Sequence, residues 1–530
     1  MLVAIVSLLL VACLVVLDKF RSQQSGFEKS EPPVCHASIP FVGHAVGMIR
    51  HKVNYYSWLR DQCQLPIVTI SLFGSRVYAV FSVPLIQSIQ RESKALAFQP
   101  IQAKFSVKLC GVSSEAYRIL ERDMQTETGE YGNIYTAMHH ALSPGKPFQD
   151  MSRMMVNRVC DTIDGIHAGS SVRLDEWLRH HVTQATTDAV YGPHNPFQNP
   201  EVERAFWEFE RAIPSLIFLP EWLARHGSRN RRIVAAAFQN YFLNKRHEQA
   251  SDLVKDFYAS ECSYGFSLSD RSHFEVGHAV ATLANTYAAV FWMVFYVFSN
   301  SEILSELRQE LSTVITTNRS DVTVGEQKIH HTLDMMKVNT HCPILISTFR
   351  ESMRLHSVGM SLRQVCKDTV INYSYCLKKD AMVLMPTIAI HTDPDVWGSD
   401  VLSFNYRRFL PISKSKSDTQ KDRVSPAAFR SFGGGTTLCP GRHFATTQII
   451  VWISMLVMRF DVEPSGGWVR PTTEKSNLAN VIMRPDDDIE VKLTARNDYK
   501  DGTWDVRLAS SEAIFSVTVE DLKEDRDQME

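Results

Sequence analysis

Apolar positions follow several rhythms along this chain. Met1–Leu17 is an unbroken run without a charged residue. Between about 65 and 85 the text alternates, as Ile67-Val-Thr-Ile-Ser-Leu72 and Arg76-Val-Tyr-Ala-Val-Phe81 around a turn at Gly74-Ser75. Alternation of period two predicts paired strands with one buried face. From roughly 86 to 365 the period is helical, with breaks at Gly145-Lys-Pro147, Gly192–Pro200 and Gly265. Residues 364–390 return to strand character, ending in Met382-Val-Leu-Met-Pro-Thr-Ile-Ala-Ile390, and Lys475–Leu493 predicts short strands and a turn. Ser413–Asp422 is wholly polar and predicts a surface loop. The expected fold class is mainly α with a minor β-sheet.

The N-terminal run changes that picture. Extended through Phe20 it reaches about 30 Å as a helix, enough to cross a bilayer once. A cleaved signal peptide competes, but no basic residue precedes the run and no small-residue cleavage site comes after it. Lys19 and Arg21 come next, so the positive-inside rule places the remainder in the cytoplasm. Glu31-Pro-Pro-Val and Ile39-Pro-Phe-Val-Gly-His44 read as a stiff hinge. Val290–Phe298 is very apolar, yet it belongs to a longer helix of the folded body. The organisation expected is an anchor at 1–20, a hinge at 21–39, a folded body at 40–495 and an acidic tail at 496–530.

Composition excludes some functions. With 530 residues, 44% of them apolar, the chain can bury a large core, and a net charge of -2 offers nucleic acid no electrostatic footprint. Ten cysteines are scattered without CxxC pairs or a compact disulfide framework, which fits a reducing compartment. The sequons Asn318-Arg-Ser and Asn372-Tyr-Ser would be silent on the cytoplasmic side.

Candidate chemistry concentrates in Phe432-Gly-Gly-Gly-Thr-Thr-Leu-Cys439-Pro-Gly-Arg-His-Phe-Ala445. One cysteine stands on a glycine-rich turn ahead of an apolar helical segment running to Phe460. Pro440 suits the first helical position. A cysteine there faces the positive end of the helix dipole, which favours thiolate. The glycines let a flat ligand approach the backbone. Taken alone, Cys439 is better read as a free thiol on a helix cap, because buried thiols are common and mostly inert. The register of Phe432, Gly435, Cys439, Gly441 and Ala445, however, resembles the haem-binding signature of the cytochrome P450 family.

Glu351-Ser-Met-Arg354 is a second motif, with both side chains on one helix face. Pairs of this kind recur at Glu115/Arg118, Glu176/Arg179, Glu201/Arg204 and Glu208/Arg211, so order is what distinguishes it. Downstream come strands, then His391-Thr-Asp-Pro-Asp-Val-Trp-Gly398, then Phe404-Asn-Tyr-Arg-Arg408-Phe409, then the cysteine loop. That succession resembles the family's ExxR and aromatic-x-Pro-x-Arg-Phe motifs, although Tyr406 replaces the proline. The resemblance implies a structural triad of Glu351, Arg354 and Arg408. It implies haem b with Cys439 as the axial iron ligand, and Phe432, Gly435, Gly441, Arg442 and Ala445 around the cofactor. Thr437 stands where an Arg or His usually meets a haem propionate. The family's Trp-x-x-x-Arg motif is not found, so Arg363 and Arg442 are the expected substitutes, with His139 and His140 behind them.

The helix expected to cross the haem face is His273–Asn300. The family's acid–Thr pair for proton delivery falls here on Ala284 and Asn285, with Thr286 as the neighbouring register. Asn285 can bond but cannot act as an acid; bonding only within its helix is the plainer role. The text Ala284-Asn-Thr…Phe291-Trp292 resembles the branch containing sterol 7α-hydroxylases and prostacyclin synthase. The resemblance implies a cytochrome P450 fold behind one N-terminal transmembrane helix. The implied activity is oxidation of a lipophilic, terpenoid- or steroid-like or other secondary-metabolite substrate with O2. No GxGxxG is present, Gly433-x-Gly435 lacking the third glycine. Electrons are therefore expected from an NADPH-cytochrome P450 reductase at the endoplasmic reticulum membrane, with the catalytic body cytoplasmic. Two alternatives stand: a haem-thiolate isomerase or dehydratase needing no external electrons, and a haem carrier or sensor without turnover.

Overall fold

The helices that position the site are α1 (Lys146–Asp164), α2 (Leu174–Tyr191), α3 (Pro200–Arg211), α4 (Arg225–Leu243), α5 (Leu268–Leu283), α6 (Thr286–Phe298), α7 (Ser301–Thr313), α8 (Pro343–His356) and α9 (Arg442–Arg459). They belong to a computed structural model that describes residues 31–37, 43–72, 74–123, 137–167, 169–323, 326–410, 424–477, 479–499 and 502–508. The expected anchor at 1–20, most of the hinge, the polar loop Ser413–Asp422 and most of 496–530 lie outside the described residues.

Every residue of α6 is buried. A helix apolar all round has no solvent face and must be central; α6 accordingly packs on α2, α8 and α9. α9 is nearly as buried, only Ala445 and Arg459 keeping partial exposure. Leu268–Phe298 has the length and hydropathy of a membrane span, but 78% of its apolar window is buried inside the fold. That burial makes it a core element.

The breaks obey local chemistry. Asn199 caps α3 by accepting the Glu201 N–H at 2.9 Å, with Pro200 at the first helical position. Asn300 starts α7 by accepting from the Glu302 and Ile303 N–H groups. Each cap satisfies donors that the helix geometry leaves open.

Strands form around this helical body. β1 (Ile67–Leu72) and β2 (Ser75–Val80) make the alternating hairpin. With β3 (Leu96–Ala97), β7 (Met360–Val365) and β10 (Met382–Pro386) they form a sheet ordered β1-β2-β10-β7-β3. A second sheet is ordered β11-β12-β4, from Phe460–Pro464, Glu490–Ala495 and Ser170–Arg173. β8 (Thr369–Ile371) and β9 (Tyr375–Leu377) form a small hairpin.

Several elements differ from those the sequence pattern predicts. The helical stretch to 365 contains a hairpin, β5 (Ile315–Thr323) and β6 (Glu326–Asp334), completed by β13 (Thr503–Arg507) running parallel to β6. Thr387–Ile390, expected as strand, belongs to a short helix, Thr387–His391. The helix expected over 273–300 is two helices, α5 and α6, meeting at Ala284-Asn285. Pro440 is not the first helical residue: Gly441 is the N-cap and α9 begins at Arg442. Cys35 and Cys63 form a disulfide linking the hinge to the helix Tyr55–Cys63, a pair that spacing alone does not suggest.

Candidate functional site

α8 carries Glu351 and Arg354 three residues apart, both without exposed side-chain surface. Arg354 donates through Nε and one terminal nitrogen to the two Glu351 oxygens, each at 2.8 Å. Arg408 donates its Nε to the same carboxylate at 3.1 and 3.2 Å, and its terminal nitrogens to Asp400 at 2.9 and 3.0 Å. Desolvation offsets most of such attraction, so the cluster specifies geometry more than it adds stability. Asp400, at the rim, is held below the usual carboxylate range by the Arg408 hydrogen bonds.

His391 joins this cluster to the cysteine segment. It is fully buried. Its Nδ1–H donates to the Arg354 carbonyl at 2.9 Å, and its Nε2 accepts the Arg430 backbone N–H at 2.9 Å. Those partners fix the tautomer with its proton on Nδ1. Burial, aided by the Arg354 charge, lowers its pKa to about 3. The ring stays neutral and can serve both bonds at once. In the sequence His391 stands out only as the start of an ordered run; its spacing to Arg354 holds no separate signal.

The loop after Arg430 is closed by its own backbone. Gly433 N–H donates to Arg430 at 3.0 Å, and Cys439 N–H to Phe432 at 2.9 Å. Gly433 and Gly435 have φ of +79° and +59°, left-handed values that favour glycine. A Cβ on Gly435 would also come within 3.0 Å of the Gln90 side chain. Cys439 itself is partly buried. Burial pushes its thiol up, and the Gly441 N–H and the Arg442 charge only pull it back in part. The helix-end effect expected to favour thiolate is therefore outweighed by desolvation.

This segment fits a haem. One thiol supplies one ligand, and among the described residues no three His, Cys, Asp or Glu side chains gather as a metal site. A metal held at Cys439 would therefore bring its other ligands with it, as the haem implied by the resemblance does. Haem propionates need cationic partners, and two arginines are at hand. Buried Arg363 on β7 donates to the Thr437 hydroxyl at 2.7 Å, two residues before the cysteine. Arg442 donates to the Cys439 carbonyl at 3.3 Å. His139 and His140 are exposed, and His140 pairs with Asp256 at 3.0 Å.

Ala284, Asn285 and Thr286 stand at the α5–α6 break. Asn285 is the α6 N-cap residue, with φ -106° and no side-chain cap bond. The Thr286 hydroxyl is 3.5 Å from the Thr282 carbonyl. The Ala284 carbonyl accepts from Arg484, a contact the sequence does not suggest.

Beside the break lies a polar cavity of about 460 Å³, lined by Asp175, Arg179, Trp207, Glu210, Tyr287 and Arg484 among others. Burial raises the Asp175 carboxyl to about 6 against the pull of Arg179.

Comparison with known proteins gives a consistent result. The cytochrome P450 family model matches residues 32–493. The chain is 31% identical over 504 residues to "Cytochrome P450 monooxygenase nodJ" of Hypoxylon pulicicidum, covering 94% of this chain and 96% of the relative. It is 25% identical to "Cytochrome P450 7B1" of Mus musculus, covering 87% and 90%. It is 21% identical to "Cholesterol 7-alpha-monooxygenase" of Cricetulus griseus, covering 93% and 98%.

Proposed function

Because the chain belongs to the cytochrome P450 family, as a monooxygenase, we propose that it hydroxylates or otherwise oxidises a lipophilic, steroid- or terpenoid-like substrate. For hydroxylation the balance is RH + O2 + NADPH + H⁺ giving ROH + H2O + NADP⁺, with electrons delivered by a membrane NADPH-dependent reductase. The observation that carries this reading is the glycine-lined Cys439 loop, supported from α8 through His391 and the Glu351 cluster. The substrate class rests on the likeness to a relative named for cholesterol.

Bound haem supplies dioxygen activation through its thiolate-ligated iron. The chain's residues do the rest. Cys439 would hold the iron through its thiolate, and Glu351, Arg354 and Arg408 keep its loop in one geometry. Arg363 and Arg442 offer their guanidinium groups to the propionates. Phe432, Gly435, Gly441 and Ala445 would shape the face offered to the ring. Ala284, Asn285 and Thr286 would face the reacting molecules, where Asn285 could orient water by hydrogen bonds but could not itself supply a proton as an acid. An anchor at residues 1–20 would hold the body at the endoplasmic reticulum membrane.

The test is high-resolution mass spectrometry of extracts from source cells with and without this chain. A product heavier than the accumulating precursor by one oxygen is the expected result. Precursor and product of equal formula would overturn oxygenation in favour of isomerisation, a reaction for which none of the named relatives speaks.

A further inference from the structure

The break between α5 and α6 is held from outside by one side chain. Ala284 N–H still donates to Val280 at 3.1 Å, and the ladder resumes when Ala289 N–H donates to Asn285 at 3.1 Å. Between them the Ala284 carbonyl receives the Arg484 guanidinium at 3.3 Å. A cation at the C-terminal end of α5 is favoured by the helix dipole, and the bond satisfies an end carbonyl. Arg484 also pairs with buried Glu210 near the end of α3. Its charge lies 5.6 Å from the Trp207 ring of α3 and 5.3 Å from the Tyr287 ring of α6.

The loop that presents Arg484 is itself fixed. Arg484 N–H donates to Ser476 Oγ at 3.1 Å, and the Met483 carbonyl accepts Trp292 Nε1–H at 2.7 Å. A continuous helix at 284–285 would turn the Ala284 carbonyl into its own ladder and away from this cation.

We propose that Arg484 is a positioning residue that holds the helix open at Ala284-Asn285 and, through Glu210, ties that break to α3. A change in α3 is then felt where Asn285 and Thr286 meet the reacting molecules. What the break serves rests on the monooxygenase reading; the clamp itself does not, and it is testable without turnover.

The experiment uses full-length, haem-loaded enzyme and two readouts. One is amide hydrogen exchange over residues 280–290. The other is the stretching frequency of carbon monoxide bound to the reduced enzyme, which reports the polarity of that face. In Arg484→Met the stem remains but the cation is lost. The helix then closes, and the amides of Asn285–Ala288 exchange roughly tenfold more slowly, the change expected for one charge-assisted bond. The carbon monoxide frequency shifts in the same variant. Arg484→Lys keeps a cation and retains the wild-type pattern at the break. Wild-type exchange and frequency in a folded Arg484→Met enzyme would overturn the proposal. Should that variant not fold, Glu210→Gln decides: the same slowing, smaller in size, supports the clamp, and wild-type exchange there defeats it. Failure to find an oxygenated product would leave these outcomes unchanged.

Discussion

Glu351 accepts hydrogen bonds from Arg354, from Arg408 and from the Asn405 backbone N–H, and none of its side-chain surface is exposed. Glu351→Ala would leave the wholly buried Arg354 guanidinium without a carboxylate and take from Arg408 one of its two, at a cost of roughly 3–5 kcal/mol. We expect an unfolded or haem-free product, read from haem absorbance relative to protein and from the thermal midpoint. A fully loaded variant with an unchanged midpoint would remove Glu351 from its proposed role. His391 makes a pH prediction with a definite sign. Its folded pKa, about 3, lies below its ordinary 6.5, so folding favours the neutral ring. That stability is complete above pH 6.5 and is lost as pH falls from there toward 3. Between pH 7 and 5 the loss is about 2 kcal/mol. His391→Gln removes the titration, so its urea midpoint should fall less steeply over that interval than the wild type's. Parallel slopes would show that the ring is not the buried neutral group described.

At the scale of elements, β13 shows what a short strand far along the chain can hold. It pairs in parallel with β6, and Trp504, 7% exposed, lies 4.9 Å from the His331 ring and 5.7 Å from the Arg459 charge. Trp504→Ala should cost about 3–5 kcal/mol locally. Limited proteolysis should then cut within 315–334 first; unchanged resistance there would mean that the hairpin stands without β13. This sheet was not legible in the sequence. β5 and β6 carry mostly polar residues, so no apolar alternation marks them, and their third strand comes from residues 503–507. The β1–β2 hairpin was legible because its inner face is apolar and its turn lies between adjacent strands. In the site, the Cys439 loop was legible because glycine, cysteine and aromatic positions are locally spaced. The Arg484 contact was not, since Ala284 and Arg484 are 200 residues apart and each looks ordinary alone. Arg363 is different: the missing cation at Thr437 pointed to it as a substitute, and it reaches that residue from β7, 74 residues earlier.

For the whole molecule, the membrane attachment proposed above needs an element to carry it. The apolar stretch Leu268–Phe298 is occupied as core, its α6 half enclosed by α2, α8 and α9. Removing it from the fold would expose the most buried element of the body, so it cannot serve both purposes. Attachment therefore falls to the apolar N-terminal run or to exposed apolar surface. The latter exists between α3 and α4, where Phe218 is 72% and Trp222 65% exposed. A variant lacking residues 1–30 keeps every described contact from Glu31 onward, including the Tyr78–Glu31 bond at 2.7 Å. It should fold, load haem and move from the membrane pellet to the soluble fraction. A folded variant that still sediments would assign attachment to the Phe218–Trp222 surface. Phe218→Ser with Trp222→Ser in the truncated chain would then release it, because a shallow contact depends on the area of those two side chains.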